Sequence, residues 1–240
     1  MDYARTEVTT PRGNPATVIT RERSSDLSLV GAFFHLWGKI DDEYRLGDLR
    51  VEGVFVDIGA HIGLVTLSVL LDNPNATAIC LEPLAENLDL MAQNMDANGV
   101  ASRVTMLQGG VGKGDTVEVT YGLPDDSAIY AERFIGGLQQ AKPVATGLAT
   151  VPAYTLAQLV EMAGGAIDTL KIDCEGCEWT ALADPIAVGK VGRIVGEWHG
   201  HPIGKRVRGV PTLRKMIGQT HTVEEIGGQG GIGNFVAVAR

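Results

Sequence analysis

The run Val54-Phe55-Val56-Asp57-Ile58-Gly59-Ala60-His61-Ile62-Gly63-Leu64-Val65-Thr66-Leu67 constrains the fold more than any other stretch of the chain. Val54, Phe55 and Val56 suit a strand covered on both faces, and Ile62, Val65, Leu67, Val69 and Leu70 supply the apolar stripe of a helix after the turn. Such a strand-turn-helix unit belongs in a parallel α/β sheet. Its ligand edge is the carboxyl end of the strand, where helix N–H groups and the helix dipole face outward. Gly59 and Gly63 mark places where backbone must approach something closely. A dinucleotide fingerprint would read G-x-G-x-x-G, whereas this run reads Asp-x-Gly-x-x-x-Gly, with a carboxylate before the turn. That carboxylate would repel a pyrophosphate but suits an ammonium group. Asp57, Gly59, Ala60, His61 and Gly63 are therefore candidate cofactor-binding residues, with an ordinary glycine-containing βα turn as the plainer alternative.

The rest of the chain can be placed around that unit. Thr77 to Leu81 reads as a second strand ending in Glu82-Pro83, and Asn87, Leu88, Leu90, Met91 and Met95 mark a second amphipathic helix closing at Asn98-Gly99. In doubly wound sheets a carboxylate at the second strand end accepts hydrogen bonds from ribose hydroxyls, which makes Glu82 the ribose candidate and Pro83 its stiffener. Val104 to Gln108 reads as a third strand. Gly109 and Gly110 follow with little side chain, as a flat ring packed on backbone would need, although a plain loop fits as well. Thr116 to Tyr121 alternates as an extra strand. Gly122 to Thr150 has no strong period, and a helix over Tyr130–Gln139 is one reading of part of it.

Thr155 to Met162 suits a helix, Thr169 to Asp173 a core strand, and Gly192 to Glu197 another that ends in Glu197-Trp198-His199. Asp57, Glu82, Asp173 and Glu197 would then share one edge of a parallel sheet, the edge that binds ligands in such folds. Val223–Ile226 and Phe235–Ala239 pair as a hairpin across a glycine-rich link. Before the first core strand, Thr17 to Thr20 reads as a short strand, and Leu27, Val30, Phe33, Phe34 and Trp37 as a helix. Residues 1–50 therefore form a clip or lid on a domain of residues 51–240, and Asp41 to Gly47 would cover the cofactor.

Composition excludes some function classes. The chain has 240 residues with 20 Lys+Arg against 29 Asp+Glu, a net charge of −9, which leaves no broad cationic surface for nucleic acid. No run approaches the roughly 18 apolar residues that a membrane span needs, and the first residues lack a signal peptide's apolar centre, so a soluble cytoplasmic protein is expected. Cys80, Cys174 and Cys177 are too few for a disulfide framework. Cys174 and Cys177 have C-x-x-C spacing without a second pair, so they read as incidental.

At Asp57-Ile58-Gly59-Ala60-His61-Ile62-Gly63, at Leu81-Glu82-Pro83 with Asn87 and Asn94, and at Leu170-Lys171-Ile172-Asp173-Cys174-Glu175-Gly176-Cys177-Glu178, the sequence resembles the FkbM-type S-adenosylmethionine-dependent methyltransferases. The resemblance spans about residues 40 to 200. It implies a Rossmann-like, seven-stranded, mostly parallel sheet with a reversed last strand, and O-methylation of hydroxyl groups on sugars or natural products. It also implies that Asp57 and the backbone near Gly59 hold the methionine part of S-adenosylmethionine, Glu82 with Pro83 and Asn87 the ribose side, and Gln108, Gly109 and Gly110 the adenine. The family commonly has Asn where this chain has His61.

The acidic strand ends supply the chemistry. Methyl transfer to a hydroxyl is an in-line displacement helped by a base that removes the hydroxyl proton. His199, with an ordinary value near neutrality, and Asp173, beside the glycine turn, are the base candidates, and Glu175 and Glu197 would orient them. Glu175 and Glu178 have plainer readings as partners of Lys171 or caps of the next helix. Asp173 and Glu197, with Glu175 and His199, also offer donors suited to Mg²⁺ or Ca²⁺. The partner expected is a small hydroxylated acceptor. Methylation of protein or RNA, and a non-catalytic S-adenosylmethionine-binding module, remain alternatives, and a homo-oligomer is compatible with all of them.

Overall fold

The computed structural model describes residues 3–21, 26, 30, 44–123, 129–131, 145–200, 202–203, 206–207, 209–229 and 231–240. β1 (Tyr3–Thr9) and β2 (Pro15–Arg21) form an antiparallel hairpin. β1 turns Tyr3, Arg5, Glu7 and Thr9 outward and buries only Val8, so its apolar signal in the sequence is weak. Of the helix expected over Leu27–Trp37, only Val30 is described, and it is helical and buried; of the cover expected over Asp41–Gly47, residues 41–43 lie outside the described residues.

β3 (Val54–Ile58) runs into α1 (Leu64–Asp72), and β4 (Thr77–Glu82) into α2 (Ala85–Ala97). β5 (Val104–Gln108) follows. A second sheet comes next, from β6 (Gly110–Val111), β7 (Thr116–Leu123), β8 (Ile129–Ala131) and β9 (Ala145–Tyr154), in the order β6-β9-β7-β8. This corrects two expectations. Residues 145–150, expected to be irregular, are strand. Tyr130, placed in a helix, pairs with Thr120 of β7 instead, a case of cross-strand pairing overriding local propensity. Residues 132–144 lie outside the described residues.

α3 (Leu156–Met162) starts at a capping box in which Thr155 and Gln158 satisfy each other's backbone N–H groups. β10 (Ile167–Ile172) leads to α4 (Glu178–Ala181) and α5 (Pro185–Val188), then β11 (Val191–His199), β12 (Pro202–Ile203), β13 (Arg206–Val207) and α6 (Val210–Ile217). β14 (His221–Gln229) and β15 (Ile232–Ala239) close the chain as the expected hairpin.

The main sheet has seven strands in the order β14-β15-β11-β10-β3-β4-β5. All neighbouring pairs from β11 to β5 are parallel, and β15 is antiparallel to both of its neighbours. The strand order reverses between β3 and β10, so their carboxyl ends flank the crevice where open α/β sheets bind ligands. Phe55 packs into one apolar layer with α1, α2 and the hairpin, while Val56 and Ile58 pack into the other with α3, α5 and α6. The hairpin also explains why α1 is buried from Leu64 through Leu70 rather than along one stripe. Asn94 of α2 bonds both backbone groups of Ile19, and Asn98 both of Thr17, so α2 acts as an extra edge for β2. Among the described residues no helix is long and apolar enough to cross a membrane.

Candidate active site

Gly59 has φ 79°, and a Cβ there would lie 1.8 Å from the carbonyl oxygen of Asp173. The turn therefore presses directly on the end of β10, and Asp173 N–H donates to Ile58 O at 3.1 Å. Gly63, with φ 82°, sits against the Met91 side chain, which a Cβ there would meet at 2.6 Å. Around the turn, Gly59 and Ala60 both donate to Leu81 O, and His61 N–H donates to Glu82 Oε2 at 2.9 Å. These amides are committed inside the protein, which leaves the first-turn amides of α1, from Leu64 onward, as the group without intrahelical partners.

The Asp57 side chain lies beneath the turn, fully buried. Thr66 Oγ1 donates to it at 2.7 Å, and the Lys171 ammonium lies 3.1 Å from Oδ1. The ammonium partner that the sequence suggested for Asp57 is thus supplied by the protein itself. It also settles Lys171, which pairs with Asp57 rather than with Glu175 or Glu178. Lys171 Nζ donates on to Gly59 O at 2.7 Å.

Glu82 is buried at the end of β4 and receives Leu84 N–H and Asn87 Nδ2 on Oε1. Burial pushes its carboxyl up, while the bonds from Asn87, Leu84 and His61 pull it back. Oε2 takes only His61 N–H among the described residues, and the Oδ1 of fully buried Asn87 has no hydrogen-bond partner there. Two buried acceptors with capacity to spare fit a pair of ribose hydroxyls, so the residues present suit S-adenosylmethionine on this side. The reason given for an adenine at Gly109 and Gly110 is corrected. A Cβ on Gly109 would meet the Tyr154 ring at 2.6 Å, and one on Gly110 would meet Val117 at 2.9 Å, so these glycines admit the second sheet. Gln108 is exposed, with Nε2 on Pro83 O at 3.3 Å.

Beside the turn, at the ends of β10 and β11, an acidic ring surrounds one imidazole. β11 extends two residues past Glu197 to include His199, and β10 ends one residue before Asp173. His199 is 2% exposed, with Nε2 at 3.1 Å from Glu175 Oε2 and 3.4 Å from Glu197 Oε2, and Nδ1 at 3.5 Å from Glu178 Oε1. Burial works against its charge, but hydrogen bonds to Glu175, Glu178 and Glu197 outweigh that and raise it far above the ordinary histidine range. These surroundings favour the charged form of His199 over the near-neutral base expected of it. Glu175, held with φ 54°, is pushed up by burial and pulled down by His199. Asp173, Glu197 and His199 place donor atoms within 4.8 Å of one another, a grouping that could hold a metal ion.

Several residues escaped the sequence reading. Tyr44, buried ahead of the core, donates to Asp173 Oδ2 at 2.8 Å, and its ring centroid lies 5.9 Å from the Lys171 ammonium. Glu178 is fully buried; it accepts His199 N–H at 2.6 Å and Gly176 N–H at 2.9 Å, while Trp179 Nε1 donates to His199 O at 2.8 Å. A lysine between Leu170 and Ile172 in a core strand was the available signal for Lys171, whereas nothing local marks Tyr44. Cys174 and Cys177, expected to be incidental, are disulfide-bonded, because left-handed Glu175 and Gly176 fold the chain back to a Cα–Cα distance of 5.4 Å.

This sheet order with one reversed strand, a glycine turn on β3 and a buried carboxylate closing β4 define a class I methyltransferase fold. The methyltransferase FkbM domain model matches residues 57–220, and the chain belongs to that family. It is 27% identical over 163 residues to Methyltransferase 1 of Beauveria bassiana (strain ARSEF 2860), a match covering 62% of this chain and 65% of the relative. Among solved structures it is similar to EvdMO1, with a TM-score of 0.47, 16% identity, and coverage of 79% of this chain and 37% of that one. It is also similar to M. capricolum TrmK solved with S-adenosyl-homocysteine, with a TM-score of 0.45, 10% identity, and coverage of 81% of this chain and 65% of that one.

Proposed function

We propose that this chain is an S-adenosylmethionine-dependent O-methyltransferase acting on a hydroxyl of a small molecule of the sugar or natural-product type. The observation that carries the reading is the junction of the two half-sites: Gly59 of the cofactor turn lies against the backbone of Asp173, whose side chain belongs to the acidic ring. Glu82 and Asn87 would hold the ribose, and the turn from Gly59 to Gly63 the methionine side. Bound there, S-adenosylmethionine would supply an electrophilic methyl group.

Asp173 is the base on this reading. Its side chain is half-buried at the crevice, and Tyr44 holds Oδ2 and leaves Oδ1 to accept a hydroxyl proton. On this reading His199, whose carboxylate neighbours favour its charged form, is not the base; it holds Glu175 and Glu197 in place instead. The negative ring also favours a cationic donor at the neighbouring strand end. The chain's acidic balance supports a small acceptor over RNA.

Incubation with methyl-labelled S-adenosylmethionine and a panel of hydroxylated sugars and polyketides tests the proposal. A labelled product is expected, and Asp173→Asn should lower its rate by roughly 10²–10⁴-fold while S-adenosylhomocysteine still binds. Transfer unimpaired in Asp173→Asn would sink the mechanism. Cofactor binding with no product across the panel would favour a binding module.

A further inference from the structure

The loop that joins β10 to α4 carries Asp173 and Glu175 and runs into Glu178, the first residue of α4, and Cys174 and Cys177 are linked across it. Both cysteines are half-buried and so less shielded than Cys80, which is fully buried. The link encloses Glu175 and Gly176, both held at positive φ, 54° and 112°. For Glu175 that backbone is unfavourable, and the link helps to hold it. Glu175 in turn reaches His199 Nε2 at 3.1 Å.

A second connection runs through Glu178. Cys174 Sγ lies 3.8 Å from Glu178 Oε2, the oxygen that accepts Gly176 N–H, and the other oxygen accepts His199 N–H. A disulfide sulfur has no proton to give, but a thiol there would become a new donor to this carboxylate. The redox state of the pair thus reaches His199 by two routes.

We propose that Cys174–Cys177 is a thiol–disulfide exchange site for a dithiol reductant, and that its state sets how firmly the loop holds Glu175 and Glu178 on His199. One thiolate of the dithiol attacks a cysteine sulfur, the Cys174–Cys177 bond breaks, a mixed disulfide forms, and the other cysteine leaves as a thiolate and takes up a proton. The second thiolate of the reductant then attacks the mixed disulfide and releases the second cysteine, which is also protonated. Two electrons pass to the protein and the dithiol becomes a disulfide. An accessible pair that exchanges in this way is compatible with a reducing compartment, where disulfides that persist as pure structural links are rare.

The test equilibrates the full chain in buffers of dithiothreitol and its oxidised form at graded ratios, followed by acid quench, denaturation, alkylation and intact mass. The chain holds three cysteines, so one alkylated site, Cys80, is expected at the oxidising end and three at the reducing end. Amide exchange read by NMR in the same buffers should show the Gly176 and His199 N–H groups exchanging roughly tenfold faster once the pair is reduced. In the Cys177→Ser variant they should exchange at the fast rate in every buffer. Three alkylated sites even in excess oxidised dithiothreitol would overturn the proposal. So would a normal change in thiol count that leaves both amides unaffected.

Discussion

Lys171 donates from its ammonium to the carbonyl oxygen of Gly59 at 2.7 Å, so a buried cation on β10 holds the cofactor turn that follows β3. The same ammonium faces Asp57 at 3.1 Å, and both side chains are almost wholly buried. Burial alone would lower the Lys171 value, but Asp57 and Asp173 outweigh it, and the net shift is upward from 10.5. The stability from a raised lysine is fully present below that ordinary value and is lost as pH rises through the folded one. Lys171→Met leaves Asp57 buried without a counter-charge and should destabilise the fold by about 3–5 kcal/mol in urea denaturation. It should also weaken S-adenosylhomocysteine in calorimetry. Asp57→Asn with Lys171→Met should lose less than the sum of the two single changes. Strict additivity would contradict the pairing.

How much of this was legible follows from the range over which each signal acts. The strand-turn-helix at Val54–Leu67, Glu82 closing β4 and the acidic strand ends are local patterns, and the sheet places them where their period predicts. The Tyr44–Asp173 bond spans a separation of 129 residues and has no local signature. Asp57 illustrates a different limit: a carboxylate before a glycine turn suits an ammonium, and only the packing of β10 on β3 reveals that Lys171 provides it. The surroundings of His199 escaped the sequence for a similar reason. Its ordinary value is a property of the isolated side chain, whereas Glu175, Glu178 and Glu197 come from a loop and two registers that the sequence does not bring together.

His61 is placed at φ 51°, a conformation that asparagine adopts more readily, and burial pushes its imidazole down to about 4 from 6.5. A depressed histidine contributes stability that is present above 6.5 and is lost as pH falls from there to about 4. The side chain retains some exposed surface, so the loss in that window should be nearer 1 than 3 kcal/mol, about a third of what the full shift implies. His61→Asn should match or exceed the wild type at pH 7 and lose less on acidification. Equal losses between pH 7 and pH 5 in urea midpoints would show that His61 does not carry the acid sensitivity.

The clamp on His199 has a spectroscopic consequence. A histidine raised by carboxylates contributes stability below 6.5 that disappears only as pH passes its folded value, which here lies far above neutrality. Nitrogen–proton correlation spectra of the ring should therefore show both nitrogens protonated at pH 8. A neutral tautomer at that pH would return His199 to contention as the base and weaken the case for Asp173. Replacing Glu175 by Gln should bring the titration of His199 down toward the accessible range, because it removes the carboxylate at 3.1 Å.

Glu82 gives a prediction about the cofactor that needs no acceptor. Its carboxyl is raised from 4.5 by burial, so the part of folding stability that depends on keeping it protonated is fully present below 4.5 and is lost as pH rises through the folded value. Ribose hydroxyls donate hydrogen bonds, and they stabilise the ionised form that burial disfavours. S-adenosylhomocysteine should therefore bind more weakly as pH falls through the folded value toward 4.5, and calorimetry there, repeated in two buffers of different ionisation enthalpy, should register proton release on binding. Glu82→Gln removes the charge while keeping the shape. It should weaken binding by roughly ten- to a hundredfold at pH 7, the range for a hydrogen bond to a charged group, and abolish the pH dependence. An unchanged dissociation constant in that variant would take the ribose away from Glu82, and the spare acceptor on Asn87 Oδ1 would then need a different ligand group.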